Sequence, residues 1–255
     1  MTPPTSAGEP LFERLKAELA SVSTSTLTQQ LQTRGITSSF LTGLAPLHPD
    51  LRMVGRARTL RYVAVREDFL KAMAGPSAQQ QAVESIEPGD VLVIEARGVP
   101  DAGTIGDTYA MRAFIRGAQG IVTDGAVRDA PAISALNKPV YSQGRHGSTL
   151  ARRHMPFAVN EPITCAGVFI VPGDVIVGDG EGAVVIPAAL VEDVTRDAVA
   201  QEEVETFILE RVGAGEPTLG LFPLAESRKD EFRAWAAERR RQRSSSGQVE
   251  GRDTC

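Results

Sequence analysis

The sequence predicts an α/β domain built around parallel strands, and three features of residues 88–143 carry this prediction. An apolar run at 91–94 follows a Pro-Gly turn, and a second run follows at 120–125, as is typical of strands buried on both faces. Between the two runs, the apolar residues of 107–118 recur with the period of a helix. Strand, helix and strand in this order predict parallel strands joined by a right-handed crossover.

Upstream of this unit, the pattern predicts two helices and one or two strands. The predicted segments are helices over 11–20 and 23–35, one or two strands over 52–65, and a short helix or turn over 79–86. Ser23 or Ser25 is expected to cap the second helix, and Gly35 is expected to end it.

Within the unit itself, residues 130–137 are expected to form a short helix and residues 138–144 a strand. Asp124-Gly125 is expected to mark the end of the strand at 120–125. The helix at 107–118 is predicted to present one apolar face, formed by Ala110, Met111, Phe114, Ile115 and Ala118.

Downstream of the unit, we predict a β-meander and two helices. Val, Ile and Gly dominate residues 162–190, where the string PGDVIV at 172–177 repeats the turn and strand of PGDVLV at 88–93. The helices are a long one over about 188–212 and a last one over 227–243.

We see no convincing domain boundary in this order of elements. The prediction is therefore a single α/β domain over 10–243 with flanking N- and C-terminal helices. Residues 213–243 are its C-terminal helical extension. The start (1–9) and the tail (244–255) are rich in small and polar residues, so both are expected to be disordered.

Composition excludes several functional classes. The net charge of −5 over 255 residues gives no basis for binding nucleic acid or an anionic membrane. No window approaches the roughly 18 consecutive apolar residues of a membrane span, and the first residues do not resemble a signal peptide. Cys165 and Cys255 make neither a disulfide framework nor a zinc-finger pattern. We therefore expect a reduced, cytoplasmic protein.

Residues 102–107, AGTIGD, place small residues at the predicted start of a helix. Backbone N–H groups at a helix N-terminus have no intrahelical acceptor, and the helix dipole adds partial positive charge. Such an end binds small anions, for example a carboxylate or a phosphate. The alternative is a tight turn in which Asp107 only caps the helix or supplies an acid to its first turn.

A second polar group, Arg128 and Asp129, follows the strand at 120–125. Sites in parallel α/β units lie beyond the carboxyl ends of the strands, so both groups are expected to face one crevice. Arginine grips a carboxylate with two hydrogen bonds, and aspartate offers the hard oxygen ligands that suit Mg²⁺ or Mn²⁺. The alternative is an ordinary exposed ion pair.

The spacing of Asp107, twenty residues, Arg128 and Asp129 resembles the D-x20-R-D motif of the RraA-like family. Four segments are also similar to that family's core, so the resemblance covers about 20–212: STLTQQLQTRG, GAQGIVTDGAVRDAPAI, NKPVYSQG and PGDVIVGDGEGAVVIPAAL. The family includes class II pyruvate aldolases that act on 4-hydroxy-4-methyl-2-oxoglutarate and 4-carboxy-4-hydroxy-2-oxoadipate. It also includes proteins called regulators of ribonuclease activity.

The resemblance implies a fold, an assembly and a set of roles. The fold would be the swivelling β/β/α, phosphohistidine-domain-like type, assembled as a homotrimer or homohexamer with active sites at subunit interfaces. Asp129 would coordinate a divalent metal, Mg²⁺ or Mn²⁺, and Asp107 would either hold metal-bound water or act nearby. Arg128 would contact a 2-oxo acid substrate and stabilise developing negative charge. The pyruvate carboxylate would be received by the backbone around Gly103, Thr104, Ile105 and Gly106.

These residue types agree with metal-dependent aldol cleavage. Breaking a C–C bond next to a 2-oxo acid leaves an enolate, which a divalent metal stabilises as a Lewis acid with help from Arg128. The same enolate forms when oxaloacetate loses CO₂, so oxaloacetate decarboxylation is expected as a side activity. The other aldolase chemistry needs a Schiff-base lysine, and Lys138 is the only candidate that we would test among four lysines.

Two other functions are alternatives to the lyase. A non-catalytic protein that binds and regulates an RNA-processing enzyme would not need Asp129, so the intact Asp-Arg-Asp set favours the lyase. A methyltransferase of menaquinone biosynthesis would need a Gly-rich nucleotide motif after the first strand, and the sequence has none.

Two further segments are candidates for the site. In this family an acidic residue of a neighbouring subunit's C-terminal helix reaches the outer shell of the metal. The candidates for that acid, if they are not simply an exposed helix face, are Glu202, Glu203 and Glu205. A basic segment is either a solvated loop or a second grip for a dicarboxylic substrate, and its charged residues are Arg145, His146, Arg152, Arg153 and His154.

Overall fold

The structure is a computed structural model, and it describes residues 9–72 and 75–246. The helices are α1 (Glu9–Leu19), α2 (Thr24–Gln32), α3 (Glu67–Ala72), α4 (Ala78–Glu84), α5 (Asp107–Ile115), α6 (Ala130–Ala135), α7 (Val191–Gly213) and α8 (Lys229–Ser246). The strands are β1 (Ala45–Pro46), β2 (Met53–Ala64), β3 (Asp90–Glu95), β4 (Gly103–Ile105), β5 (Gly120–Val127), β6 (Val140–Arg145), β7 (His154–Val159), β8 (Ile163–Cys165), β9 (Val168–Ile170), β10 (Val175–Gly178) and β11 (Ala183–Ile186). Most of the two predicted disordered ends, and Cys255 with them, lies outside the described residues. No helix in the described ranges has the length and apolar character needed to cross a membrane.

Nine strands form one mixed sheet. Its order is β1-β6-β5-β3-β2-β10-β11, with β4 paired to β5 and β7 paired to β2. Strands β2, β3, β5 and β6 are parallel neighbours, which confirms the predicted parallel unit and the α/β class. The segment predicted as one or two strands is the single strand β2, with a register shift between Arg61 and Tyr62.

Strand β3 is buried on both faces of this sheet, as its continuous apolar run predicts. Leu92 and Ile94 pack in a cluster with residues of α4, α5 and α6. Val91 and Val93 alternate with them and pack in a second cluster, with residues of β8, β9, β10 and β11. Because both faces are covered, the strand has no polar side to alternate with the apolar one.

The two PGDV segments adopt the same turn. Gly89 and Gly173 both have a φ of +92°, a left-handed conformation that glycine adopts without strain. After each glycine, an aspartate side chain accepts a hydrogen bond from the backbone N–H three residues before it, at 3.0 Å for Asp90 and 2.9 Å for Asp174. The two PGDV segments therefore form the same turn before a strand, at two places in the chain.

The predicted helix at 107–118 ends three residues early, at the end of α5. Gly117, with a φ of +103°, follows the helix, and its N–H donates to Phe114 O at 3.0 Å. The N–H of Ala118 donates to Ala113 O, also at 3.0 Å. These two bonds form a Schellman ending, which the apolar pattern alone did not reveal.

The predicted apolar face of α5 is also wrong in part. Ala110 and Ala113 are buried, whereas Met111 is 48% exposed and Ile115 is 69% exposed. The buried positions hold small side chains, which permit close packing. The spacing of apolar residues alone therefore did not show which positions of the helix are buried.

Strand β5 continues two residues past its predicted end and finishes at Val127. Asp124 and Gly125 lie inside the strand. The Asp124 carboxylate is buried and accepts hydrogen bonds from the N–H groups of Gly98 at 3.0 Å and Ala166 at 3.4 Å. Burial raises the pKa of this carboxyl. Asp124 therefore ties two loops to the strand, and the candidate site residues Arg128 and Asp129 follow directly after Val127.

The predicted meander over 162–190 is two separate hairpins. Strands β8 and β9 form a two-stranded antiparallel sheet of their own. Strands β10 and β11 instead extend the main sheet through the pairing of β10 with β2. The apolar pattern gave the strands correctly but did not distinguish which sheet each would join.

The chain divides into two compact units, and the second begins at Asp197. In this second unit, Phe207 is buried and meets the rings of Phe232 and Trp235 edge-on, with centroids 5.7 and 5.5 Å away. The indole N–H of Trp235 donates to Glu210 at 2.7 Å. These contacts hold α8 against the part of α7 that lies in this unit. The single-domain organisation remains a prediction.

Gly55 of β2 offers a test of the packing between strands. A Cβ at this position would lie 2.6 Å from Gly89 O and 2.8 Å from a methyl of Val91. We expect Gly55→Ala to lower the free energy of unfolding by about 1–3 kcal/mol, measured by urea denaturation, because backbone must move to admit the methyl group. Gly144→Ala is the control, since a Cβ there would meet no atom within 4 Å. Equal stability of the two variants would contradict this packing.

Candidate active site

A pocket of about 390 Å³ opens where β4 and β5 end. Its wall includes β4, the first turn of α5, the segment 149–151 and Gln79 of α4. The residues that the sequence proposed at the helix start and after the strand at 120–125 all line this pocket: Gly103, Thr104, Ile105, Gly106, Asp107, Arg128 and Asp129. The structure thus brings the two polar groups to one crevice, while their individual roles remain predictions.

The short strand β4, which the sequence did not predict, joins the two groups. It pairs in parallel with the end of β5, with Gly103 opposite Ala126 and Ile105 opposite Val127. The N–H of Arg128 then donates to Ile105 O at 2.9 Å. A three-residue strand that begins with glycine has no alternation to detect, which explains why it was missed.

Glycine at position 103 allows Arg128 to lie close to β4. A Cβ at Gly103 would be 2.5 Å from Arg128 Cβ, which is too close for two carbon atoms that are not bonded. The N–H of Gly103 donates to Ser148 O at 3.0 Å. Gly103 therefore contributes space to the site, and its amide is already used.

Asp129 holds its carboxylate in an unusual position for a residue at the start of a helix. It is the N-cap of α6, where an aspartate ordinarily accepts a hydrogen bond from the first turn, yet its side chain makes no such bond. Its backbone is left-handed, with a φ of 55°. Oδ2 lies against Gly106, where a Cβ would be only 2.9 Å away. The carboxylate is thus directed into the pocket rather than onto its own helix.

Arg128 lies beside this carboxylate without neutralising it. Its Nε is 3.5 Å from Asp129 Oδ1, and the two side chains are 43% and 38% exposed. An ion pair this long and this open to water is weak. Both charges therefore remain available to a ligand.

The first turn of α5 faces the same pocket. Gly106 is its N-cap and offers no side chain to cap the helix. Asp107 Oδ1 accepts hydrogen bonds from the Thr108 N–H at 2.6 Å and the Thr108 hydroxyl at 3.2 Å. Asp107 is thus an acid in the first turn of α5, which is one of the two roles that the tight-turn alternative gave it. It also lines the pocket. The partial positive charge of the helix end is directed at the pocket.

Two buried side chains fix the β4 backbone from behind. The Tyr62 hydroxyl donates to Thr104 O at 2.9 Å, and Gln79 Nε2 donates to the same oxygen at 2.8 Å. Burial raises the pKa of the Tyr62 phenol, so it stays a neutral donor. Sequence reasoning missed both residues. Tyr62 lies within a long strand, and Gln79 begins a run of three glutamines in which nothing distinguishes one from another.

The basic segment contributes residues 149–151 to the pocket but not its arginines. Arg153 pairs with Asp101 at 2.6 Å, and Arg152 lies 3.9 Å from the same carboxylate. Both arginines line a different pocket, of about 570 Å³. The hypothesis of a second carboxylate grip from this segment is therefore wrong for the arginines at 152 and 153. Lys138, the candidate for a Schiff base, is exposed and does not line the first pocket.

The pocket fits a divalent cation in its donor chemistry. Asp107 and Asp129 supply carboxylate oxygens, and Mg²⁺ is commonly held by one or two carboxylates, with water and substrate filling the other positions. The described residues contain no cluster of three or more His, Cys, Asp or Glu side chains arranged to hold a metal. A site here would therefore need ligands from water, from substrate or from a second copy of the chain.

The acids considered for a neighbouring subunit lie on α7. The Glu203 carboxylate accepts from Arg240 at 2.7 Å, and Glu205 accepts from Gln201 at 2.7 Å. The third acid, Glu202, accepts a hydrogen bond from the Thr206 hydroxyl through its backbone oxygen. Their part in another subunit's site, and the trimer or hexamer that it requires, stay predictions.

The family profile described as RraA-like (Aldolase/RraA) matches residues 24–185. This chain belongs to the RraA-like family. The match confirms the resemblance that rested on Asp107, Arg128, Asp129 and the surrounding segments.

Individual RraA-like relatives agree with this assignment. The chain is 38% identical over 157 residues to a Halalkalibacterium halodurans protein named "Putative 4-hydroxy-4-methyl-2-oxoglutarate aldolase", covering 61% of this chain and 69% of that one. Streptomyces coelicolor RraAS2, described as an unusual member of the RNase ES inhibitor RraA protein family, superposes with a TM-score of 0.72. It is 32% identical, covering 81% of this chain and 98% of its own.

An uncharacterised protein of Pseudomonas syringae pv. tomato gives a TM-score of 0.73 at 29% identity, covering 87% of this chain and 99% of its own. The predicted fold type is confirmed by the superposition on RraAS2, which is described as a member of the RraA protein family.

His154 packs against Tyr62 and carries a lowered pKa. Its ring is fully buried, 5.7 Å from the Tyr62 ring, and Arg97 Nη2 lies 3.3 Å from Nδ1. A guanidinium only donates, so Nδ1 is an unprotonated acceptor. Burial, with the charge of Arg97, lowers the pKa of His154 below its ordinary 6.5.

We expect the free energy of unfolding to fall as the pH drops below 6.5, because the unfolded chain then binds a proton that the folded His154 resists. Urea denaturation at about pH 7.5 and about pH 5.5 gives the free energy of unfolding at each pH, and the difference between the two values is the slope with pH. His154→Phe, which keeps an aromatic ring against Tyr62, should reduce the slope. An unchanged slope in the variant would show that other groups are responsible.

Proposed function

We propose that this protein is a divalent-metal-dependent lyase that cleaves a 4-hydroxy-2-oxo acid into pyruvate and a second carbonyl compound. One observation carries the proposal: the Asp129 carboxylate is turned away from its own helix and into a pocket that it shares with Arg128, Asp107 and the open end of α5. A strained backbone and an unused cap are typical of a residue held for function rather than for stability.

The pocket can bind the 2-oxo acid end of such a substrate. The first turn of α5 has a glycine as its N-cap and directs partial positive charge at a carboxylate, although its Thr108 N–H is already bonded to Asp107. Arg128 also lines the pocket, and its guanidinium can bind the 2-oxo oxygen or a carboxylate oxygen. A volume of about 390 Å³ suits a small organic acid.

The charges of the pocket favour a cation in the bound state. Two carboxylates, Asp107 and Asp129, face one guanidinium, Arg128, and a dicarboxylate substrate would add further negative charge. Mg²⁺ or Mn²⁺ held by Asp129, with Asp107 nearby, would offset this repulsion and act as a Lewis acid toward the 2-oxo group.

The protein's own residues have distinct parts in bond cleavage. Arg128 stabilises the negative charge that grows on the 2-oxo oxygen as the C3–C4 bond breaks and the C4 hydroxyl becomes a carbonyl. The hydroxyl proton passes to water beside Asp107, and C3 of the enolate takes a proton from water to give pyruvate. The α5 end holds the carboxylate in place, and Asp107 orients water at the edge of the site. The same stabilisation serves loss of CO₂ from oxaloacetate, which we expect as a second activity.

Relatives support the lyase and leave one alternative. The name of the Halalkalibacterium halodurans relative agrees with aldol cleavage. The similarity to Streptomyces coelicolor RraAS2 supports the alternative, a non-catalytic regulator that binds an RNA-processing enzyme. We favour the lyase because a protein-binding surface has no use for a carboxylate held in a strained conformation inside a pocket.

The test is pyruvate release, coupled to lactate dehydrogenase, from 4-hydroxy-4-methyl-2-oxoglutarate and from oxaloacetate. We expect turnover with Mg²⁺ or Mn²⁺ and none with excess EDTA. Asp129→Asn should abolish it, and Arg128→Ala should lower kcat by roughly 10²–10³-fold because charge on the oxygen is no longer stabilised. Asparagine is preferred to alanine at 129 because it also tolerates a positive φ, so only the charge changes.

Asp68→Asn is the matched control for this test, because Asp68 is an exposed acid that also pairs with an arginine, Arg66, at 2.9 Å. It should leave turnover unchanged. Turnover that survives both EDTA and Asp129→Asn would contradict the metal-dependent mechanism. A lack of turnover and of metal binding in the wild type, with binding to an RNA-processing enzyme that Asp129→Asn does not alter, would favour the regulator.

A further inference from the structure

Gln79 lies at the back of the pocket, and only half of its amide has a structural partner. The residue is 2% exposed, and its Nε2 donates to Thr104 O at 2.8 Å. Because a carbonyl oxygen can only accept, this bond fixes which amide atom is the nitrogen. The amide oxygen, Oε1, must then be directed elsewhere.

Oε1 is available to the pocket. It has no hydrogen-bond partner within the described part of the chain, and it is not among the enclosed polar atoms that lack one. Gln79 itself forms part of the pocket wall. The glutamines that follow differ, since Gln80 and Gln81 are exposed and Gln81 binds Pro76 O. Gln79 is thus a buried residue that presents an unused acceptor to the site.

We propose that Gln79 is a specificity-determining residue that accepts a hydrogen bond from the hydroxyl group of a hydroxylated 2-oxo acid. This proposal rests on the lyase function proposed above. The carboxylate and keto oxygens of such a substrate only accept hydrogen bonds, and its hydroxyl is its one donor. An acceptor in the wall can therefore pair with that hydroxyl and with no other group of the substrate.

A neutral amide suits this task better than a carboxylate. A third acid beside Asp107 and Asp129 would repel the carboxylates of the substrate. A substrate without the hydroxyl would leave the buried amide oxygen unpaired, and a site built around a hydrogen bond discriminates strongly against such an analogue. Gln79 orients the hydroxyl and does not take its proton, because an amide is too weak a base.

Tyr62 makes it possible to separate recognition from positioning. Its hydroxyl donates to the same Thr104 oxygen at 2.9 Å, but Tyr62 does not line the pocket. Tyr62→Phe loosens the Thr104 peptide and removes nothing from the pocket wall. Gln79→Leu removes one hydrogen bond to that peptide and the acceptor in the pocket as well.

The experiment compares kcat and KM for two substrates, 4-hydroxy-4-methyl-2-oxoglutarate and oxaloacetate, whose keto form has no hydroxyl. We expect Gln79→Leu to lower kcat/KM for the hydroxylated substrate about tenfold more than for oxaloacetate, the size of one lost hydrogen bond. Tyr62→Phe should lower both values by the same factor. Gln80→Leu, an exposed neighbour on α4, should change neither.

Equal losses on both substrates in Gln79→Leu would overturn the proposal and leave Gln79 a positioning residue. If Gln79→Leu does not fold, Gln79→Glu is the variant to measure, because it keeps an acceptor oxygen in the pocket wall. The preference for the hydroxylated substrate should persist in it even as overall activity falls, and loss of that preference would also overturn the proposal. A wild type inactive on both substrates would refute the lyase and this proposal together, whereas an active enzyme with an unchanged ratio would refute this proposal alone.

Discussion

Three residues of backbone, Gly103–Ile105, run parallel to the end of β5 and fix the position of the functional groups in the pocket. The pairing continues into the bond from the Arg128 N–H to Ile105 O, so the start of α5 and the Arg128-Asp129 pair share one hydrogen-bonded frame. The contact is close enough that only glycine fits at 103. A helix end and a charged pair that are twenty residues apart in sequence thereby become two walls of one pocket.

This frame is itself held by uncharged donors. Thr104 O receives hydrogen bonds from Tyr62 and Gln79, and neither side chain brings charge into the wall. The charged groups stand in front of this layer, where water can reach them. The charge of the pocket wall therefore comes from Asp107, Arg128 and Asp129, and the proposed cation and substrate would add to it.

The sequence was sufficient for features that depend on local pattern. The run at β3 predicted a strand buried on both faces, and the spacing of Asp107, Arg128 and Asp129 placed these residues at the ends of one βαβ unit. It was insufficient where a contact joins distant segments. The bonds from Gln79 and Tyr62 to Thr104 span 25 and 42 residues, and glutamine or tyrosine in those segments has many other possible roles. The predicted burial of Met111 and Ile115 was wrong for a related reason. Hydropathy shows that a side chain is apolar, but it does not show which partner, if any, covers that side chain.

The contrast between a fixed backbone and exposed charged side chains bears on how the site would work. The peptides of β4 are held by hydrogen bonds within the chain, so a carboxylate at the adjoining end of α5 would meet a backbone that is already in place. Arg128 and Asp129 are 43% and 38% exposed and lie 3.5 Å apart, so neither side chain is locked by a strong partner of its own. Fixing them against a ligand would cost about 0.5–1.5 kcal/mol for each side chain, a small penalty against the attraction of a divalent cation for a carboxylate. Binding of the proposed cation and substrate would then complete the site, with the backbone frame unchanged.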